Sequence, residues 1–531
     1  MSEPVLRGEE IQGDSLAGFR KDHVSLLFLE FDSNQIAAVK QWLRDLEPRL
    51  ARLNAVARFN ARFRLVKREF HLDPDILHVP FRLERRLTAK WLNIAFTSQG
   101  LVKLVGEAQV SDFETAFRLG AHVRAVDIGD PSDGSPGTPQ TWLVGGPGNV
   151  PDAMLNIAAD VEADRIAEVD AIRAEIAAIA PAIRVMYEDV GNARLAPHHG
   201  HEHFGFKDGI SQPGVRGTLD GSGDFLTPRL IDSGDFLGGT FAAPGVPLIE
   251  PGEFVLGYDR QNPNRATSTQ TEADTRVEPA WARDGSYVVY RRLRQDVPAF
   301  ERFLDHGVAQ LTSQGFTVDR ERFGAMCVGR WKDGTPIARS PLYPDPDIAR
   351  DRDASQSFFF WRDTEPVQWA DASRPPDALP PALMDGDGDR CPLSAHIRKI
   401  NPRDEATDVG HGTRTLRRRI IRRGVTFGPG YRVNPKAERG LLFICYQASI
   451  ADQFEFLWRV WANKTGTPRA DAGFDPIIGQ NGNDPPAARE VRFVEGTRQG
   501  TVTMPERFVI STAGAYLFAP SISAIRDVLA V

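Results

Sequence analysis

Two parts of this chain present strand and helix signals in the same order, and that order restricts the fold more than any other feature. Val24-Ser-Leu-Leu-Phe-Leu-Glu-Phe31 has the length of a strand and is apolar on both faces, as a buried strand is. Ser33 to Leu53 carries apolar residues at helical spacing, with Ser33 or Asn34 as the cap. Trp91–Phe96 is a second strand, with a helix start at Gly100 to Leu104. Residues 126–150, rich in Gly, Pro and Asp, are loop. Met154–Ala158 is a third strand. Asp160 to Ile179, rich in Ala and Glu with an apolar stripe, is a helix, and Ile183–Tyr187 is the closing strand. This is the order of a ferredoxin-like split unit.

The order recurs. Phe254–Tyr258 and Tyr287–Tyr290 read as strands, followed by an amphipathic helix over Val297 to Ser313. Leu441–Tyr446 is a central strand and Ala451 to Trp461 an aromatic-rich helix. Phe508–Ile510 and Ala515–Phe518 end the sheet, with a short helix after Ser521. No sequence repeat accompanies this, so the duplication rests on element order alone. The expected class is α+β: two ferredoxin-like halves, antiparallel sheets with flanking helices. The expected limits are 1–230 and 231–531, the join falling within 215–250 where Gly, Pro and Asp cluster. A loop-rich insertion covers about 334–390. A length of 531 residues also favours more than one domain.

Composition mainly excludes. A net charge of -7 gives no general case for nucleic acid or anionic membrane as partner. No run approaches the ~18 apolar residues of a membrane span, and the first residues hold no apolar leader, so a cytoplasmic location is expected. Three cysteines, Cys327, Cys391 and Cys445, are too few for a disulfide framework and suit a reducing compartment.

Three stretches carry candidate chemistry. In Cys391-Pro-Leu-Ser-Ala-His396-Ile-Arg-Lys-Ile-Asn-Pro-Arg403 a lone histidine among small and apolar residues precedes a run of cations. An iron-bound imidazole beside the propionates of a haem has this chemistry, since one histidine commonly holds haem iron and arginine pairs carboxylates well. The plainer alternative is a core histidine beside a solvated basic loop. In Gly205-Phe-Lys-Asp208-Gly-Ile-Ser-Gln-Pro-Gly-Val215 a carboxylate sits in a glycine-flanked turn. It can act as acid and base or merely cap its own turn. Arg417-Arg-Arg-Ile-Ile-Arg-Arg423 offers a cation for charge on a departing oxygen, or a solvated face.

Together these stretches resemble the dye-decolourising peroxidases, a haem peroxidase family. Gly205, Asp208 and Gly209 match the G-x-x-D-G signature. The segment around His396 is similar to the proximal-histidine segment. Ile420 to Gly424, then Phe427-Gly-Pro429, match where the family keeps its distal arginine. The resemblance runs from about Ile11 to the C-terminus. It implies one haem per chain, mainly in the second half; without a C-x-x-C-H motif this is haem b. It implies hydrogen peroxide as acceptor and a bulky organic donor such as a dye or phenol, with the oligomeric state open between monomer and dimer. His396 is then the iron ligand. Asp208 and Arg422 act on peroxide, Arg423 being the alternative to Arg422 by a slip of one. Arg398, Arg403, Gly209 and Phe427 are expected cofactor contacts. Gly424 stands where some members keep an asparagine, so that residue's role is absent. Some members carry a twin-arginine signal, which this sequence does not show. The rivals are a haem-binding or haem-handling protein with incidental peroxidase activity, and a two-domain binding module without cofactor.

Lesser candidates complete the list. His198-His-Gly-His-Glu-His203 can take a transition metal adventitiously. Asp385-Gly-Asp-Gly-Asp389 fails as an EF-hand because Arg390 and His396 stand where that loop needs Gly and Glu. Tyr446, Trp458 and Trp461 are core by default and radical relays at most. Asp452 is the expected acceptor for the second N–H of His396, and His411 the next candidate ligand.

Overall fold

The computed structural model describes all residues except 1–2, 70–86, 221–222, 232–237, 263–270, 273–278, 365–378, 411, 483–488 and 505. The first half runs β1 (His23–Phe31), α1 (Ile36–Leu46), α2 (Leu53–Glu69), β2 (Lys90–Phe96), α3 (Ser98–Val105), β3 (Ala153–Ala159), α4 (Glu162–Ala178) and β4 (Ile183–Asn192). Its strands lie in the order β4-β1-β3-β2, all antiparallel. The second half runs β5 (Ser286–Gln295), α5 (Val297–Ser313), α6 (Arg320–Val328), α7 (His396–Ile400), β6 (Ile421–Arg422), β7 (Val425–Phe427), β8 (Gly440–Gln447) and β9 (Val509–Ala519). Here β6 and β7 pair with β8, β8 with β5, and β5 with β9. Counting β6 and β7 as one broken strand, both halves have the ferredoxin-like order, as element order predicted.

The halves form one nine-stranded sheet whose ends also meet. Phe518 of β9 pairs with Phe96 of β2. At the other end, Thr426 Oγ1 donates to the Asn192 carbonyl at 2.6 Å. A side chain at Gly191 would come within 2.4 Å of Val425. The sheet is thereby rolled up, which explains strands apolar on both faces. On β1, Leu27, Leu29 and Phe31 pack outward against Trp42 and Leu43 of α1 and Ile172 of α4. The alternate Leu26 and Phe28 pack inward against Tyr290, Tyr446 and Leu517 of the other half.

A third core lies outside the sheet and supports α7. Phe300 and Phe303 of α5, Phe323 of α6 and Phe493 pack there with Ala395, which precedes His396. Asp296 and Asp319 cap α5 and α6 through the N–H groups of Ala299 and Arg322. Gly329, at φ +94°, ends α6 where a side chain would strike Ile397 at 2.4 Å.

Three local expectations are corrected. Phe254–Tyr258 is not a strand but a buried turn after a 3₁₀ turn at Pro251–Glu253. The Phe254 carbonyl takes its hydrogen from Ser286 Oγ instead of a neighbouring strand. The aromatic-rich helix winds as two π-helical segments, Ile450–Glu455 and Leu457–Ala462. The two terminal strands are one, β9, because the small Ser511, Ala513 and Gly514 continue the ladder past an unpaired Thr512 at a register shift. Among the described residues no helix is long and apolar enough to cross a membrane.

Candidate active site

His396 opens α7 on the wall of a cavity of about 240 Å³. Its Nδ1 lies 2.8 Å from Asp475 Oδ2, leaving Nε2 available. Asp475 is fully buried and fixed in turn, its Oδ1 accepting from the N–H groups of Ile477 and Ile478 at 2.8 and 3.0 Å. Burial pushes the imidazole pKa down, but the Asp475 carboxylate overcomes it and holds it above its ordinary value. The expected partner Asp452 is a correction. It lies half exposed, 3.6 Å from Arg418, while Asp475 makes the contact from a loop 79 residues beyond the histidine.

Asp208 and Arg422 form a second pair on the same wall. Arg422 Nη1 donates to Asp208 Oδ1 at 2.7 Å, and its Nη2 to the Ser211 carbonyl at 3.3 Å. The Gly209 N–H reaches the same carboxylate oxygen at 2.6 Å from a left-handed backbone, φ +74°, that glycine adopts without strain. Burial would raise the Asp208 pKa, yet Arg422 and the Gly209 N–H hold it below its ordinary value. Glu202 clasps the turn leading to Asp208. Its carboxylate accepts from the N–H groups of Phe204 and Phe206, both at 2.8 Å, and from Gln295. Burial pushes its pKa up to about 7.

The basic run is not a solvated face. Arg422 points to Asp208, whereas Arg423 turns away and donates to the carbonyls of Asp14 and Leu16. Arg417 and Arg418 approach Glu253 and Asp452 at 3.5 and 3.6 Å. Arg419 is buried on the cavity wall with Arg330 and Arg403. None of these last three makes an ion pair among the described residues. Burial lowers all three, Arg330 and Arg419 to about 10. Arg403 binds only carbonyls, of Gly245, Gln356 and Phe358, and lies 3.6 Å over the Phe358 ring. The wall also carries the apolar Leu441, Phe443, Leu457 and Ile478, together with Trp458.

Two expected cofactor contacts lie elsewhere. Arg398 is fully buried, with Nε 2.8 Å from Glu405 and Nη1 3.3 Å from Asp385. It anchors α7 from behind because two carboxylates take its charge. Phe427 points its ring at Arg292, 3.9 Å away, and its carbonyl accepts from His203. In the histidine run, His199 meets Asp22, His201 meets the His199 carbonyl, and His203 is buried with its pKa lowered to about 4. Among the described residues no three His, Cys, Asp or Glu gather to hold a metal. His411 lies outside the described residues.

Comparison with known proteins decides the family. Residues 10–195 match the model of the dimeric α+β barrel domain of dye-decolourising peroxidases, and 257–472 that of the C-terminal part of the same peroxidases. The chain belongs to the dye-decolourising peroxidase family. A dye-decolourising peroxidase of Mycetinis scorodonius is 32% identical over 83% of this chain and 76% of its own. A multifunctional dye peroxidase of an Amycolatopsis species is 27% identical over 98% of this chain and 95% of its own. The solved structure of an ancestral D-type dye-decolourising peroxidase superposes with a TM-score of 0.75 at 31% identity, covering 99% of this chain and all of that one. The chain is accordingly a haem-dependent peroxidase, using peroxide and an organic reductant.

The donor set suits the haem that this family uses. One imidazole is oriented by a buried carboxylate, as metal-binding histidines usually are. Buried donors on two wall residues, Arg419 Nε and Trp458 Nε1, have no acceptor among the described residues. Three buried guanidinium groups without carboxylates await an anion of the kind that propionates supply.

Proposed function

We propose that His396 Nε2 holds the iron of one non-covalently bound haem b per chain, with Asp208 and Arg422 as the peroxide-side pair. When bound, the haem supplies the redox centre at which peroxide is reduced and the donor oxidised. Asp208, ionised because Arg422 lies 2.7 Å away, takes the first proton of hydrogen peroxide and returns it to the leaving oxygen. Arg422 stabilises the negative charge that develops on that oxygen. Gly209 keeps this approach open: a side chain there would have no neighbour within 4 Å. Arg330, Arg403 and Arg419 pair the propionates. The donors are bulky dyes and phenols, the relatives being named for dyes. Three unpaired buried cysteines support a reducing compartment such as the cytoplasm.

One observation carries this reading: the Asp475-bound imidazole and the Asp208–Arg422 pair line one cavity. The test is His396→Ala, which is expected to lose the Soret band of the purified protein or shift it strongly. A variant that keeps the wild-type band and full turnover of peroxide and dye refutes it, and His411 is then the next ligand to examine. The alternative of a haem-handling protein with incidental activity is not favoured by relatives that are peroxidases over most of their length.

A further inference from the structure

The loop that delivers Asp475 is tied to the helix that carries His396 by a second side chain of that helix. Lys399 follows His396 on α7 by three residues, so the two are neighbours on the helix surface. Lys399 is fully buried, and its Nζ donates to three carbonyls: of Lys464 at 2.7 Å, Thr467 at 2.8 Å and Gly473 at 2.6 Å. Three is the number of hydrogens an ammonium can donate. All three acceptors lie between the π-helical segment Leu457–Ala462 and Asp475. We propose that Lys399 is a positioning residue for the iron ligand: it holds this loop against α7 so that the Asp475 carboxylate meets His396 Nδ1. This rests on the reading of His396 as that ligand.

The other contacts of Asp475 leave this task open. The Ile477 and Ile478 N–H groups fix its Oδ1, and the Gly479 N–H reaches its carbonyl at 3.0 Å, but these act within one turn of the chain. The neck of the loop is closed by the Asp475 N–H on the Ala462 carbonyl at 2.9 Å. The Phe474 N–H donates to the Glu490 carbonyl at 2.9 Å, and the Gly473 N–H to the Thr465 carbonyl at 3.3 Å. None of these bonds reaches α7. Among the described residues, His396 and Lys399 are the side chains of α7 that hydrogen-bond the segment ending at Asp475.

The chemistry of Lys399 fits that task better than plain packing. Its neighbour Arg398 is paired with Glu405 and Asp385, whereas Lys399 makes no ion pair among the described residues. Burial pushes its pKa down to about 8, against the pull of Asp475 and then of Asp408, so it is a cation at neutral pH. A buried cation without a carboxylate is costly, and an apolar side chain would fill the space more cheaply. An apolar side chain would also strand three carbonyls that turn inward from the loop. A single ammonium satisfies all three and so fixes the two ends of the loop to one atom of α7. The consequence falls on the ligand, because an imidazole that gives its Nδ1 hydrogen to a carboxylate is held in one orientation and is the more basic at Nε2.

The test reads the ligand bond rather than turnover. Resonance Raman spectra of the ferrous holoenzyme give the iron–histidine stretching band, and transfer to apomyoglobin gives the rate of haem loss. Wild type, Asp475→Asn, Lys399→Met and the double variant are compared, with Lys399→Gln, which keeps two N–H donors, as the partial rescue. Asp475→Asn should lower the band and speed haem loss roughly 10–100-fold. Lys399→Met should lower the band too and speed haem loss at least about tenfold, with Lys399→Gln between it and wild type. On the Asp475→Asn background, Lys399→Met should shift the band no further, because its effect passes through Asp475; a side chain that only supports the fold has the same effect with or without that carboxylate. A Lys399→Met protein with the wild-type band, or a double variant in which the two effects add, overturns the proposal. So does failure of both Lys399 variants to fold, which makes Lys399 a residue of the fold alone. If Asp475→Asn itself leaves band and haem loss unmoved, the ligand reading fails. If Asp475→Asn moves them and Lys399→Met does not, that reading stands and the positioning role falls.

Discussion

Arg422→Leu is expected to move the acid limit of the peroxide step upward as well as slow the step. Asp208 has two opposing influences: burial, which favours its neutral form, and Arg422 at 2.7 Å with the Gly209 N–H at 2.6 Å, which favour the carboxylate. In the wild type the second set wins, so the base stays ionised to below the ordinary carboxylate pKa. An adjacent opposite charge typically lowers a carboxylate pKa by about 1–3 units. Its removal leaves burial opposed only by the Gly209 N–H and the more distant His396, so the acid limit should rise above its wild-type position. The plateau rate should also fall by about 10²–10³ through the lost electrostatic stabiliser.

The assay is stopped-flow mixing of holoenzyme with hydrogen peroxide alone, following the first spectral change from pH 3 to 8. Asp208→Asn is the companion: it should lose about 10²–10⁴ in rate and show no acid limb, having no carboxylate to titrate. Stability changes sign in parallel. In the wild type the lowered folded pKa means that ionised Asp208 stabilises the fold above the unfolded pKa, a contribution lost as pH falls. In Arg422→Leu the raised pKa makes the neutral form the stabilising one, and its contribution is lost as pH rises. An Arg422→Leu protein with the wild-type acid limb, or both variants reacting at the wild-type rate, would refute the pairing as the basis of the peroxide step.

Other perturbations follow from the same geometry. Asp475→Asn should leave the fold intact while weakening haem retention or activity roughly 10–100-fold, read as haem released to apomyoglobin and as a shifted Soret band; unchanged retention and spectrum would show that the 2.8 Å contact does not orient the ligand. Arg398→Ala should cost about 3–5 kcal/mol in denaturant unfolding, because it strands the buried Glu405 and Asp385; a loss below about 1 kcal/mol would contradict the anchoring role. Acid–acetone extraction should remove the haem without cleaving a covalent bond, and the resulting apoprotein should melt at a lower temperature than the holoenzyme. Haem left on the polypeptide, or equal melting points, would count against the assignment.

The sequence made the framework legible because strands and helices are local signals. The helix Val297–Ser313 keeps its expected bounds, capped by Asp296, while β5 runs past the expected Tyr290 to Gln295. Phe254–Tyr258 misled for a reason that pattern cannot see: an apolar run buried on all sides looks alike in a strand and in a turn whose carbonyl is met by a side chain. The motifs pointed to Asp208, His396 and Arg422, which the fold brings to one cavity. The partner of His396 was hidden because no local periodicity links Asp475 to a histidine 79 residues earlier, and Asp452 attracted notice only by lying in the aromatic helix. Arg398 was misassigned for a related reason. Adjacent cations on a helix face different ways, and only the fold shows that Glu405 and Asp385 stand behind α7.

The charge pattern around the cavity ties these parts together. His396 has Asp475 and Asp208 has Arg422, so each of the two functional pairs is matched within the protein. Arg398, the cation that sequence placed beside the cofactor, is matched as well. Arg330, Arg403 and Arg419 are not, although each is less than one-tenth exposed. Burying a guanidinium without a counter-charge is costly enough that folds rarely tolerate one, let alone three on one wall. That cost is offset when an anion completes the site, and a porphyrin carrying two propionates brings both the negative charge and the apolar body that Leu441, Phe443 and Leu457 face. On the proposed reading, the haem would complete the core of the second half, the protein's own acids being kept for His396 and Arg422.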